Sequence, residues 1–223
     1  MPDARETLER SAGLQRRFGL LFRAARVPPS IESGSFGLWR VFRQPMPDAR
    51  YLPLMGWTET TVLLRTTLAT LHLPHGGDVV MDDSLRELRR HLPIWRVARG
   101  RVLITGLGLG CVVRGLLANP AVTHVDVIEL DRGLLQWMAP GIPETPRLSM
   151  YAADALTWHI PRGARWDYAW HDICDDGQGG PHLDFLHAQL LARFAPHVGA
   201  QGAWGLQRWV KRTWPTFLLG AAA

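Results

Sequence analysis

Residues Arg101 to Asp131, RVLITGLGLGCVVRGLLANPAVTHVDVIELD, leave few choices of fold. Val102, Leu103 and Ile104 form the short apolar run that a buried parallel strand needs. Gly106, Gly108 and Gly110 follow at once. Cys111 to Leu117 then reads as a helix, stopped by Asn119-Pro120. His124 to Ile128 is a second strand, and Glu129 stands at its C-terminal end. Strand, glycine turn, helix, strand and acid make a βαβ unit suited to a nucleotide.

The residue types fit that use. Glycine accepts positive φ and lets the backbone approach a ligand. The helix that follows opens on unpaired N–H groups. Glu129 comes 23 residues after Gly106, where an acid can accept hydrogen bonds from two ribose hydroxyls. The glycine spacing is G-x-G-x-G, with Cys111 where a dinucleotide fingerprint has its third glycine, and this weighs against an oxidoreductase. The bland alternative is a glycine turn that binds nothing.

Elsewhere the pattern is plainer. Pro2 to Arg26 reads as an amphipathic helix ended by Pro28-Pro29, with Leu8, Ala12, Phe18, Leu21, Phe22 and Ala25 roughly on one side. Docking on the body is the commonest use of such a helix, and a homodimer through the N-terminal region is another. Residues 35 to 81 read as short strands and turns, with candidate strands at Phe36 to Phe42 and toward Met81, and with Thr60 to Leu71 as strand or helix, its threonines favouring strand. Ser84 opens a helix, with Glu87 completing a capping box and Leu85, Leu88, Leu92 and Trp95 as the apolar stripe. Beyond Glu129 the pattern gives a helix at Arg132 to Met138, strands at Leu148 to Ala152 and Trp166 to His171, a helix at His182 to Phe194 and a fifth strand at Ala203 to Gln207.

Alternating strands and helices predict an α/β fold with a Rossmann-like, doubly wound parallel sheet, either truncated after strand five or completed by N-terminal strands. The organisation expected is a helix over 1–30, a small β-rich region over 31–82 and the Rossmann-like domain over 83–223. Ligands of an open parallel sheet sit beyond the C-terminal ends of its strands. Three acids fall there: Glu129, Asp154 and Asp172. Asp154 could instead cap the turn that follows it. Asp172 and Asp175 lie in WHDICDDGQGGP, and two nearby carboxylates can hold an amine and take its proton. Asp176 reads as a solvated loop residue. Strand alternation turns His171 away from Asp172, toward a packing role.

The glycine pattern resembles the first motif of class I S-adenosylmethionine-dependent methyltransferases. That resemblance implies that Gly106, Gly108 and Gly110 hold the amino-acid portion of S-adenosylmethionine and Glu129 its ribose. It also implies that Asp154 accepts from the adenine amino group, with the Ala155 backbone nearby. Within that superfamily, residues 79 to 190 look most like the spermidine synthase (polyamine aminopropyltransferase) branch. Ile104 is apolar where that branch also lacks an acid, NPAVTHVDVIELD resembles its second-strand region, and Asp172, Asp175, Gly180 and Pro181 reproduce its loop skeleton. In that branch Asp172 would deprotonate the amine and Asp175 would help hold substrate or cofactor. The chain departs from it in three places. Leu109 replaces the acid of the glycine loop, Asp176 replaces a proline, and residues 1–78 show no clear match. Losing the loop acid removes a charge partner for an ammonium group.

The expected activity is therefore transfer from S-adenosylmethionine, most simply of a methyl group, to a small amine or hydroxyl acceptor. Aminopropyl transfer from decarboxylated S-adenosylmethionine is one alternative, and a non-catalytic nucleoside-binding or interaction protein is another. Composition narrows the partners. No run of 18 apolar residues is present, so no membrane span is expected, and the N-terminus does not read as a secretory signal. Cys111 and Cys174 are too few and too far apart for a metal knuckle or a disulfide framework, so no metal and a reducing, cytoplasmic setting are expected. The net charge is +5 and Lys211 is the only lysine, but no basic run exceeds two residues, so a nucleic-acid partner is not indicated.

Overall fold

The computed structural model describes residues 18–45, 57–67, 70–73, 76–173 and 181–204, which build one antiparallel and one parallel sheet. The described part of the N-terminal helix is 18–25 (α1). Its apolar stripe docks: Phe22 and Ala25 are fully buried, and Phe18 and Leu21 pack partly buried against the same core. Residues 1–17, with Leu8 and Ala12, lie outside the described residues.

Four strands follow: β1 (Gly34–Phe36), β2 (Trp39–Pro45), β3 (Glu59–Arg65) and β4 (Asp78–Asp82). They form an antiparallel meander in that order. The single strand expected over Phe36 to Phe42 is instead broken by a hairpin. Gly37 adopts φ +55° and turns the chain, so Phe36 pairs with Trp39 across the turn. The threonine-rich stretch is a strand as far as Arg65, after which Thr66 and Thr67 lead into a turn.

Helices α2 (Leu85–Leu88) and α3 (Leu92–Val97) are joined by a 3-10 turn, Arg89–His91. Half of the expected capping box forms. The Ser84 hydroxyl accepts from the Glu87 N–H at 3.4 Å, but the Ser84 N–H donates to Asp82 at 2.8 Å. That frees the Glu87 carboxylate, which accepts instead from Arg90 at 2.7 Å and from the Trp204 indole at 3.0 Å.

The remaining elements are β5 (Gly100–Thr105), α4 (Cys111–Leu117), β6 (Val122–Glu129), α5 (Arg132–Met138), β7 (Leu148–Ala152), β8 (Trp166–His171), α6 (Pro181–Phe194) and β9 (Val198–Ala203). The sheet is parallel, in the order β7-β6-β5-β8-β9. The chain runs outward from β5 to β7, then returns to β8 on the other side of β5. The edge beside β5 is therefore the switch point, where ligands of such sheets bind. Alternation sorts the core. Val102, Ile104, Val125 and Val127 face α1, α3, α4 and α5, while Leu103, Ile128 and Ala169 face α6.

The fifth strand starts at Val198, not at Ala203 as the sequence pattern indicates. Its sequence, VGAQGA, has almost no apolar signal, because its small residues serve close packing. A Cβ at Gly199 would come within 2.9 Å of the Asp167 carbonyl, and one at Gly202 within 3.0 Å of the Trp170 ring. Residues 205–223, which include Trp209, Trp214 and the rest of the expected strand, lie outside the described residues.

Two buried side chains tie the N-terminal segments to the sheet. Asp83 is fully buried after β4. Its Oδ1 accepts from Thr60 Oγ1 (2.9 Å) and Thr61 N (2.7 Å), and its Oδ2 from Arg26 Nε (2.8 Å) and Val27 N (3.1 Å). Arg114 of α4 donates through Nε and Nη2 to the Ala25 carbonyl at the end of α1, at 3.2 and 3.1 Å. Such a fork satisfies carbonyls that a helix end leaves open.

Candidate functional site

Backbone hydrogen bonds assemble the C-terminal edge of the parallel sheet. Gly106 N donates to Ile128 O (2.9 Å), Asp172 N to Thr105 O (2.8 Å), Ala153 N to Glu129 O (2.9 Å) and Trp204 N to His171 O (2.9 Å). These bonds line up the strand ends carrying Glu129, Asp154 and Asp172 on either side of the glycine turn.

All three glycines of the turn have positive φ: +88° at Gly106, +51° at Gly108 and +74° at Gly110. The need for glycine is met within the protein itself. A Cβ at Gly106 would lie 2.1 Å from the Asp172 carbonyl, and one at Gly108 would lie 2.3 Å from Met81 Sδ. Met81, from β4, also accepts from the Leu109 N–H at 3.0 Å. Leu107 and Leu109 turn into the core, so Leu109 puts no polar side chain at the turn. Gly110 is the left-handed cap of α4, a helix of seven residues.

Glu129 is buried, and the turn holds its carboxylate. Oε2 accepts from Leu107 N at 2.7 Å and Oε1 from Asp131 N at 2.8 Å. Burial raises its pKa, and the N–H groups of Asp131 and Leu107 act against that rise. A carboxylate offers about four acceptor directions, so capacity for a diol remains once these two are used. Glu129 therefore fits a ribose beside the turn.

Asp154 spends its carboxylate on the turn that follows. Oδ1 accepts from Leu156 N at 2.8 Å, and Oδ2 from the Thr157 hydroxyl at 3.4 Å. That is the capping role open to it from sequence. Ala155 is buried with Leu103, Ile128 and Trp166.

Asp172 differs from both. Among the described residues its carboxylate accepts no hydrogen bond. Burial, with the Glu87 carboxylate adding, pushes its pKa up to about 8. A titratable neighbour is His91, whose Nδ1 lies 3.8 Å from Asp172 Oδ2. Sequence reading passed over His91 and took Glu87 for a cap. Their i, i+4 spacing was the available signal that one helical face carries both. His171 turns away from Asp172 as alternation requires, with Nδ1 3.0 Å from Thr105 Oγ1, Nε2 3.2 Å from Gln201 Oε1 and its ring stacked on Phe194. Burial lowers its pKa to about 4, which keeps it neutral. Asp175, Asp176 and Gly180 lie outside the described residues.

The strand order and the glycine turn define a Rossmann-like α/β fold with a doubly wound parallel sheet. No family model matches the chain. It is similar to the polyamine aminopropyltransferase of Synechococcus sp., at 27% identity over 114 residues, 48% of this chain and 36% of that one. It is also similar to the ribosomal RNA small subunit methyltransferase A of Methylobacillus flagellatus, at 38% over 55 residues, 25% of this chain and 20% of that one. The chain thus spans about a third or less of the length of these curated relatives. Among solved structures, spermidine synthase from Thermotoga maritima matches 62% of this chain and 46% of its own, with TM-score 0.41 and 16% identity. Human methyltransferase-like protein 13, in complex with SAH, matches 51% and 59%, with TM-score 0.40 and 18% identity. These likenesses are short or distant, and the fold class stands on the strand order and the turn.

Proposed function

We propose that this chain binds S-adenosylmethionine at the β5–β6 edge and transfers its methyl group to a small amine or hydroxyl acceptor beside Asp172. The carrying observation is the Glu129 carboxylate, fixed to the glycine turn by the Leu107 N–H with acceptor capacity to spare. When bound, S-adenosylmethionine supplies a carbon made electrophilic by its sulfonium. Glu129 would accept from the ribose hydroxyls, and the Asp154–Ala155 turn would border the adenine. Asp172 would accept the proton that the acceptor nitrogen or oxygen gives up. Most of the rate would come from holding acceptor and carbon in line.

Aminopropyl transfer from decarboxylated S-adenosylmethionine is the second reading. Two acids favour it, since Glu87 and Asp172 share one corner, where the Glu87 carboxylate raises the Asp172 pKa. Leu109 weighs against it. Calorimetric titration of wild type and Glu129→Ala with each ligand separates the readings. Preferred binding of the carboxylated form, weakened about tenfold to a hundredfold in the variant, supports methyl transfer. Preference for the decarboxylated form supports aminopropyl transfer, and binding of neither overturns both.

A further inference from the structure

His91 is a buried group that the transfer reading leaves unused. It ends the 3-10 turn between α2 and α3, and none of it reaches solvent. Neither ring nitrogen has a hydrogen-bond partner among the described residues. A neutral imidazole carries one donor and one acceptor, and leaving a buried polar group unpaired costs about 1–3 kcal/mol. Native folds seldom keep such groups without a use for them. The ring packs against Trp95, with centroids 5.5 Å apart, so it cannot readily turn elsewhere. Burial, with Arg90 adding, lowers its pKa to about 3, so the ring stays neutral near pH 7.

The carboxyl it faces accepts no hydrogen bond among the described residues either. Nδ1 stands 3.8 Å from Asp172 Oδ2, about 1 Å beyond a hydrogen bond. Among the described residues, the other charged groups acting on the pair are Glu87 and Arg90 of the preceding segment, bonded to each other at 2.7 Å. A protonated Asp172 gains little from an N–H beside it, whereas a carboxylate attracts one strongly.

We propose that His91 is a positioning residue for Asp172: its Nδ1–H donates to Oδ2 once that carboxyl ionises, leaving Oδ1 turned to the acceptor. The role of Asp172 in transfer rests on the reading above, but the hydrogen bond requires no ligand. As Asp172 loses its proton to solvent, the gap closes by a small side-chain rotation. The carboxylate so held is the form able to take a proton from an acceptor.

The test follows Asp172 itself. Protein labelled with 13C at the aspartate carboxyl carbon is titrated by NMR, with the Asp172 signal assigned by its loss in Asp172→Asn. Wild type is compared with His91→Leu, His91→Asn and His91→Gln. Asparagine can present an N–H close to the Nδ1 position, whereas glutamine reaches only toward Nε2. His91→Leu and His91→Gln are expected to raise the Asp172 midpoint by about one pH unit or more, with His91→Asn holding it near wild type. A wild-type midpoint in His91→Leu or His91→Gln overturns the proposal, as does an asparagine variant that shifts as far as leucine. Should His91→Leu fail to fold, the asparagine–glutamine comparison decides alone. No cofactor enters this experiment, so its failure is distinct from a failure to bind S-adenosylmethionine.

Discussion

Two aspartates, the fully buried Asp83 and the half-buried Asp172, show what the fold holds tightly and what it leaves open. Asp83 accepts four hydrogen bonds, from Arg26, Val27, Thr60 and Thr61, and so joins α1, β3 and the exit of β4 at one carboxylate. Asp172 accepts none among the described residues, and sits at the sheet's ligand edge with a pKa near 8. Asp83 is removed from water, and Asp172 keeps 20% of its side-chain exposure. One is saturated and holds segments together, whereas the other keeps its acceptor capacity. A buried acid with its bonds made is a joint, and one with its bonds unmade is a site in waiting.

The largest break in that comparison comes at the joint. Asp83→Ala leaves Arg26 Nε and three other donors without this acceptor, and Arg26 is itself mostly buried. Loss of one partner from such a buried set costs about 3–5 kcal/mol. Urea unfolding should show a midpoint lowered accordingly, and an unchanged midpoint would remove the distinction between the two aspartates.

At the open site the sign reverses. Asp172 titrates near 8 in the folded chain against an ordinary value of 3.8. Between those values the folded chain keeps a proton that the unfolded chain has released, so this group makes stability fall as pH rises through the window. Asp172→Asn removes that titration. The variant is expected to be more stable than wild type at pH 8.5, by about 1–3 kcal/mol, and equal to it near pH 4. The gain stays below the full linkage value because the side chain keeps 20% of its exposure. Transfer activity should fall in the same variant. Greater stability of wild type at pH 8.5 would mean that Asp172 is held by bonds, as Asp83 is.

The sequence made the parallel sheet legible because its signals are local. Apolar runs mark β5 and β6, the glycine triplet marks the turn, and Glu129 sits at the expected strand end. Three kinds of feature were not legible. Gly37 breaks a run of strand formers by a backbone angle that composition does not reveal. β9 is written in small residues, whose presence depends on neighbours distant in the chain. Glu87 and His91 show their meaning only when α2 and the following turn fold over the end of β8. The same holds for Asp83, which in sequence is one acid of MDDS, and for Arg114, whose charge disappears beneath α1. Met81 is a further case, since its thioether meets the glycine turn from a different sheet.

The smallest effect should be found at Cys111, on the closed side of the comparison. It is fully buried in the first turn of α4, 3.5 Å from Arg114 Nη2, and burial pushes its thiol pKa up to about 12. Arg114 acts to lower that value, and Asp83 and Glu87 act to raise it. At pH 8 the thiol is therefore protonated as well as covered, and only a thiolate attacks an alkylating reagent. Iodoacetamide at pH 8, read by peptide mass mapping so that Cys174 is scored separately, should leave Cys111 unmodified while the chain stays folded. Modification should appear with the unfolding transition in urea. In Asp83→Ala it should appear at lower urea, because the joint that closes this side is gone. Fast labelling of Cys111 in folded wild type would show that the Asp83 side opens on its own, and the contrast with Asp172 would then be one of degree.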